Sequence, residues 1–317
     1  MTKTDSNSIS DAAMANAPSG GSLVPYKGEH PKAPDWFIEA IETPYETGAV
    51  DVQGAQIKWQ RWGDASKPGL LFVHGNGAHA HWWDFIAPYF MRDYHCVAFS
   101  FSGMGESDWR EVYPLGLFAE EVVAVSEDTG LFANPEKPII AAHSFGGFVA
   151  RLALADHSEK FRHAVIIDSY IPLPGEEIMK PPQRIGRSRT YADLAEALGR
   201  FRLEPPQPCD NHYILDYIAR WGLKKVDGGY SWRFDPSIWN GPREPFDQIE
   251  NLRQITCPLS FINGEQSIFF PEKVLNFLRD VLGDEVPMVS IPHAHHHVWL
   301  DEPVGFISAL RAILENV

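Results

Sequence analysis

Little in this chain could cross-link it, carry it through a bilayer or hold it on a polyanion. Its 317 residues include three cysteines, Cys96, Cys209 and Cys257. That is too few for a disulfide framework, and none forms a C-x-x-C pair. Cys96 and Cys257 sit beside apolar runs, where a thiol behaves as a small buried hydrophobe. No stretch reaches the unbroken apolar length of a membrane span. The opening MTKTDSNSISDAAMANAPSGGS lacks the continuous apolar region of a secretory signal. These shortages predict a reducing, cytoplasmic setting and no membrane partner. Positive charge is scarce as well: 27 Lys plus Arg against 42 Asp plus Glu leave a net −15. Such a surface repels phosphate backbones, so no nucleic-acid partner is expected, and neutral or cationic substrates are favoured over polyanions. No G-x-G-x-x-G loop, P-loop or cofactor-binding lysine motif stands in a suitable context, which predicts no cofactor.

What is present reads as one large catalytic unit with an insertion. Residues 1–30 are rich in Ser, Ala, Asn, Gly and Pro and are expected to form a disordered leader. GAVDVQ and AQIKWQRWG suggest a hairpin. Short apolar runs then alternate with amphipathic stretches: LLFVHGNG, YHCVAFSFSGMGES, PIIAAHSFGG, HAVIIDS, PLSFING and VPMVSIP read as strands. WWDFIAPYFM, LFAEEVVAVSEDTG and VGFISALRAILENV have helical spacing between or after them, with Gly130 as a C-cap. This alternation predicts a mostly parallel sheet covered by helices on both faces. The rhythm breaks over residues 171–246, which are rich in proline and aromatics. That stretch is expected to be a mainly helical inserted cap, with core regions 31–170 and 247–317 on either side.

A serine hydroxyl attacks a carbonyl only with a base in reach, a group to orient the base and donors for the oxyanion. Ala142-His143-Ser144-Phe145-Gly146-Gly147 lies between an apolar run and a helical run. That is the context of the G-x-S-x-G strand-to-helix elbow, with Ala142 in place of the first glycine. Ser144 is therefore the candidate nucleophile. Four histidines crowd one late loop, His293, His295, His296 and His297, and any of the last three could supply the base.

Together these motifs resemble the α/β-hydrolase superfamily of ester hydrolases and haloalkane dehalogenase-like enzymes. The matching stretches, in order, are VHGNGAHAHWW, FSGMGES, AHSFGG and IPHAHHHVWLDEP. The resemblance implies an eight-stranded, mostly parallel sheet with a cap over its carboxyl edge. It selects His296 as the base and implies an oxyanion hole from the backbone N–H groups of Asn76 and Phe145. The usual acid position, three residues after Gly264, holds Ser267, and Asp168 at the end of HAVIIDS is the preferred replacement, as in some haloalkane dehalogenases. Glu265 is the rival. Ser100 also stands where the family usually has an aspartate, a change expected to alter loop packing. His74, Trp221, Trp232 and Trp239 are candidates for substrate contact.

The implied activity is hydrolysis of a carboxylic ester, thioester or lactone with a small apolar or aromatic acyl group, the small-molecule ester being the expected partner. A C–C bond hydrolase and a non-catalytic ligand-binding protein on the same fold are the alternatives. Ser144 argues against haloalkane dehalogenase and epoxide hydrolase chemistry, which needs an aspartate nucleophile. The histidine clusters at 79–81 and 293–297 lack H-E-x-x-H spacing, so no metal is expected.

Overall fold

The inner strands of the sheet are apolar on both faces, which only a sheet covered on two sides can satisfy. The computed structural model describes residues 21–176, 188–240 and 248–317. β1 (Glu46–Val52) and β2 (Ala55–Trp62) form the antiparallel edge hairpin. β3 (Gly69–Val73), β4 (His95–Phe99), β5 (Ile139–His143), β6 (His163–Ile167) and β9 (Leu259–Gly264) are buried at every position. β10 (Met288–Ile291) closes the far edge. The order is β1-β2-β4-β3-β5-β6-β9-β10, with parallel pairing from β4 to β10.

Alternate residues of each strand feed two separate cores. Leu70, Phe72, Ala98, Ile139, Ala141 and Val165 face one. Their neighbours Leu71, Val73, Val97, Ile140, Ala142 and Ile166 face the other. The second core is covered by α2 (Leu115–Asp128), α3 (Phe145–His157) and α7 (Glu272–Leu282), and the first by α9 (Pro303–Leu314). Each fully buried Phe or Leu contributes about 1.5–3 kcal/mol, so a one-residue slip of any inner strand would forfeit several such terms at once. The chain runs from β3 to β4 on one side and returns to β5 on the other. That reversal opens a crevice at the carboxyl ends of β3 and β5, the place where open α/β sheets bind ligands.

Three expectations need revision. WWDFIAPYFM does not form an α-helix: Pro88 interrupts it, and only 3₁₀ turns form at Ala80–Trp83 and Ala87–Tyr89. Residues 21–30 do not belong to the disordered leader expected over residues 1–30. Residues 1–20 lie outside the described residues, but Leu23 is buried, Tyr26 Oη meets His212 Nδ1 at 2.9 Å, and Arg220 donates to the Gly28 carbonyl at 2.6 Å. Isolated apolar contacts of this kind leave no periodic signal. The insertion, expected to be mainly helical, also carries a strand pair among its described residues. Its described parts hold α4 (Leu194–Leu198), α5 (His212–Trp221) and a hairpin of β7 (Leu223–Val226) with β8 (Gly229–Trp232). The Asp227-Gly228 dipeptide at the hairpin turn was the available sign. Residues 177–187 and 241–247 of the expected cap lie outside the described residues.

Candidate active site

Ser144 leaves β5 with φ 54° and ψ −120°, a conformation L-residues rarely adopt, and α3 begins at the next residue. Two glycines make the turn possible. A Cβ at Gly146 would lie 2.3 Å from the His74 carbonyl oxygen, and one at Gly147 would lie 2.6 Å from Ser169 Cβ. The Ser144 N–H donates to the Ile167 carbonyl at 2.9 Å, extending the β5–β6 ladder to the serine itself. Asp168 is held alike: its N–H donates to the Ile262 carbonyl at 2.8 Å, with φ 41°. The main chain thus fixes both residues at adjacent strand ends. Backbone strain of this kind costs of order 1–3 kcal/mol per residue and persists where the surroundings impose it.

The side chains converge. Ser144 Oγ lies 2.9 Å from His296 Nε2, and His296 Nδ1 lies 2.8 Å from Asp168 Oδ1. The carboxylate also accepts the Gly264 N–H on Oδ2 at 2.9 Å and the Ser267 hydroxyl on Oδ1 at 2.6 Å. Ser267 Oγ accepts the Phe269 N–H at 3.1 Å, which leaves its proton for Asp168. Asp168 is fully buried and His296 nearly so. Lost hydration raises the Asp168 carboxyl, against the pull of the Ser267 and Gly264 donors, and lowers the His296 imidazole. A neutral imidazole with Nδ1–H donated to the carboxylate leaves Nε2 free to accept the serine proton.

The backbone N–H groups of Asn76 and Phe145 make no hydrogen bond among the described residues. Phe145 opens α3, where the helix dipole favours an anion. Trp239 Nε1 donates to Asn76 Oδ1 at 3.1 Å, and its ring packs edge-on against Phe145 at 5.1 Å. Beside Asn76 opens a cavity of about 450 Å³, walled by His79, Phe201, Trp232, Phe234 and His297 among others. A second hollow of about 500 Å³, near Pro135, Lys137 and Cys257, lies toward the amino ends of the strands and meets none of these groups.

Residues 70–309 match the model of the alpha/beta hydrolase family. The chain belongs to the α/β-hydrolase family. A serine hydrolase-like protein of Danio rerio is 22% identical over 84% of this chain and 87% of its own length. An esterase of Mycobacterium tuberculosis is 22% identical over 84% of this chain and 88% of its own. A solved structure of that esterase superposes with a TM-score of 0.67 at 20% identity, covering 90% of this chain and 100% of that one.

Within this α/β-hydrolase the other candidates fall elsewhere. Glu265 accepts the His293 N–H at 3.0 Å from an exposed position, and no contact joins it to His296. His74 is a correction: it is fully buried, Nδ1–H donates to the Gly75 carbonyl at 2.7 Å, and Nε2 accepts the Phe101 N–H at 3.1 Å. With both ring nitrogens engaged it shapes the loop and has no ring N–H or lone pair left to offer a substrate. Trp221 stacks on His81 with ring centroids 3.6 Å apart and does not line the cavity, whereas Trp232 does. Ser100 accepts the Ala80 N–H at 3.0 Å, a packing role.

The roles of two contributors, His143 and Ser267, have no signal in the sequence. His143 Nε2–H donates to the His296 carbonyl at 3.0 Å and so fixes the main chain of that residue. It occupies the variable position of the elbow, where no residue type is demanded. Ser267 was noticed only as a missing aspartate. His143, His296 and His297 also form a buried cluster whose nitrogens lie within 4.8 Å of one another. It overlaps the Ser144–His296–Asp168 chain, since His296 Nδ1 faces Asp168 and Nε2 faces Ser144. No helix among the described residues is long and apolar enough to cross a membrane.

Proposed function

We propose that this α/β-hydrolase cleaves carboxylic esters or thioesters through an acyl-enzyme on Ser144. The observation that carries the reading is the unbroken chain from Ser144 Oγ through His296, 2.9 Å from the serine, to Asp168, 2.8 Å from the imidazole. His296 Nε2 takes the hydroxyl proton as Oγ bonds to the carbonyl carbon, and Asp168 stabilises the imidazolium that forms. The tetrahedral oxyanion is received by the N–H groups of Asn76 and Phe145. Its collapse expels the alcohol or thiol, which takes the proton from Nε2. Water then attacks the acyl group with the same base, releasing the acid and restoring the serine.

The segment after β6 acts as a cap in this reading, and Trp232 and Trp239 are its contacts toward the acyl group. Three free, buried cysteines suit a reducing compartment such as the cytoplasm. The test is labelling with a fluorophosphonate probe, followed by mass analysis of the modified peptide. Adduct on Ser144, with labelling and ester turnover both lost in Ser144→Ala, is the expected result; loss of a triad member costs about 10⁴–10⁶ in kcat. Near-native turnover in Ser144→Ala would overturn the serine mechanism.

A further inference from the structure

Over the whole chain acids outnumber bases 42 to 27. Among the described residues on the walls of the cavity beside Asn76 the balance reverses: Arg189, Arg200, Arg202 and Arg233 stand against one carboxylate, Glu204. A cleft lined by one sign of charge with low-dielectric walls focuses the field and concentrates ligands of opposite sign. The whole-chain charge, which favours neutral or cationic substrates, is therefore the wrong guide at this place.

The four guanidinium groups are not equally free. Arg202 Nη1 donates to the Gly199 and Phe201 carbonyls at 3.0 and 2.6 Å, so its charge contributes while its donors are largely spent. Arg189 lies over the Tyr191 ring and pairs with Glu196 at 3.3 Å. Arg233 donates to the Leu223 carbonyl at 3.1 Å, with Glu106 no nearer than 3.7 Å. Arg200 has no side-chain hydrogen bond or ion pair among the described residues. Aromatic rings of Phe201, Trp232 and Phe234 lie on the same walls. Apolar surface leading away from the oxyanion loop, with an unengaged guanidinium on it, matches one kind of ligand: an apolar stem that ends in an anion.

We propose that the enzyme selects esters or thioesters bearing a terminal carboxylate or phosphate, with Arg200 as the principal anion-binding residue. The proposal rests on the hydrolase reading above. It is tested with two matched pairs of substrates, each rate corrected for spontaneous hydrolysis. p-Nitrophenyl hemiglutarate against p-nitrophenyl pentanoate places a carboxylate or a methyl at the end of one acyl chain. S-butyryl-4′-phosphopantetheine against S-butyrylpantetheine places the charge on the leaving group instead.

The expected result is a kcat/KM ratio, anionic over neutral, of about ten in at least one pair, since a charge-assisted contact is worth roughly one order of magnitude. The pair that responds tells which end of the substrate enters the cavity. Arg200→Glu should cancel the ratio mainly through KM, Arg200→Lys should retain most of it, and added salt should shrink it. Arg92→Glu, an exposed change before β4 toward the amino edge of the sheet, should leave it unaltered. Ratios at or below one in both pairs, with the neutral esters turned over, would overturn the anion selectivity and leave the hydrolase intact. Failure to hydrolyse any of the four would overturn the hydrolase reading itself.

Discussion

The strand ends that carry Ser144, Asp168 and His296 and the segment that follows β6 are built by different means. At the strand ends, parallel ladders continue into the loops, so main-chain hydrogen bonds at 2.8 and 2.9 Å fix Asp168 and Ser144 before any side chain is considered. In the insertion the elements are short, and apart from a main-chain bridge of Phe234 and Asp235 to Gly103 and Met104 it is side chains that anchor it. Tyr217 Oη donates to Asp84 at 2.5 Å, His79 meets the Ile218 carbonyl at 2.9 Å, and Trp221 stacks on His81. In the proposed mechanism chemistry belongs to the main-chain-fixed part and selectivity to the insertion.

The strongest way to break that division is at Asp168. Asp168→Asn keeps the shape but offers the imidazole the wrong partner, and kcat for an activated ester should fall by about 10⁴. Glu265→Gln should stay within about threefold, because its carboxylate meets only the His293 N–H. The opposite ranking, with folding checked by circular dichroism, would move the acid to the loop after β9.

Acid sensitivity should also divide the two regions. Burial pushes His74, in the loop after β3, and His163, at the start of β6, down to about 4 from 6.5. Between those values the unfolded chain binds protons that the folded one refuses, so stability is complete above pH 6.5 and declines toward pH 4. Full burial makes the His74 share about 3 kcal/mol over that span, and solvent screening makes that of His163 smaller. Denaturant midpoints measured from pH 7.5 to 4.5 should show the decline, and His163→Gln should flatten it. An unchanged slope in that variant would remove His163 from the explanation.

A smaller effect than at Asp168 is expected at Ser267. Ser267→Ala deletes a donor to the buried carboxylate and leaves the Phe269 N–H without its acceptor. A drop of about tenfold in kcat, with KM little changed, is expected. Full activity would mean that Gly264 and His296 alone hold Asp168.

The same division governs what could be read from the sequence. The strands and the elbow were legible because burial on two faces demands unbroken apolar runs and the turn demands small residues at Gly146 and Gly147. Asp168 is legible as the residue ending HAVIIDS and as a partner for His296, whereas its Gly264 and Ser267 donors are not. Ser267 became intelligible only when the fold brought β6 and β9 side by side. His74 was misjudged because a histidine after an apolar strand looks the same whether its ring nitrogens are free or both engaged. The hairpin of the insertion is hidden because proline and aromatic content point to a mainly helical cap, in which the Asp227-Gly228 turn carries no weight.

The bond from Trp239 to Asn76 limits how far the insertion can be treated as an exchangeable part. Trp239 belongs to the insertion, yet its indole N–H holds the side chain of a residue whose backbone faces the reacting carbonyl in the proposed mechanism. A lid transplanted from another hydrolase would arrive without that indole and would loosen the donor as well as the pocket. Descendants of this scaffold that trade one substrate for another must therefore keep Trp239 or rebuild its contact. The freedom to vary the lid ends at that residue.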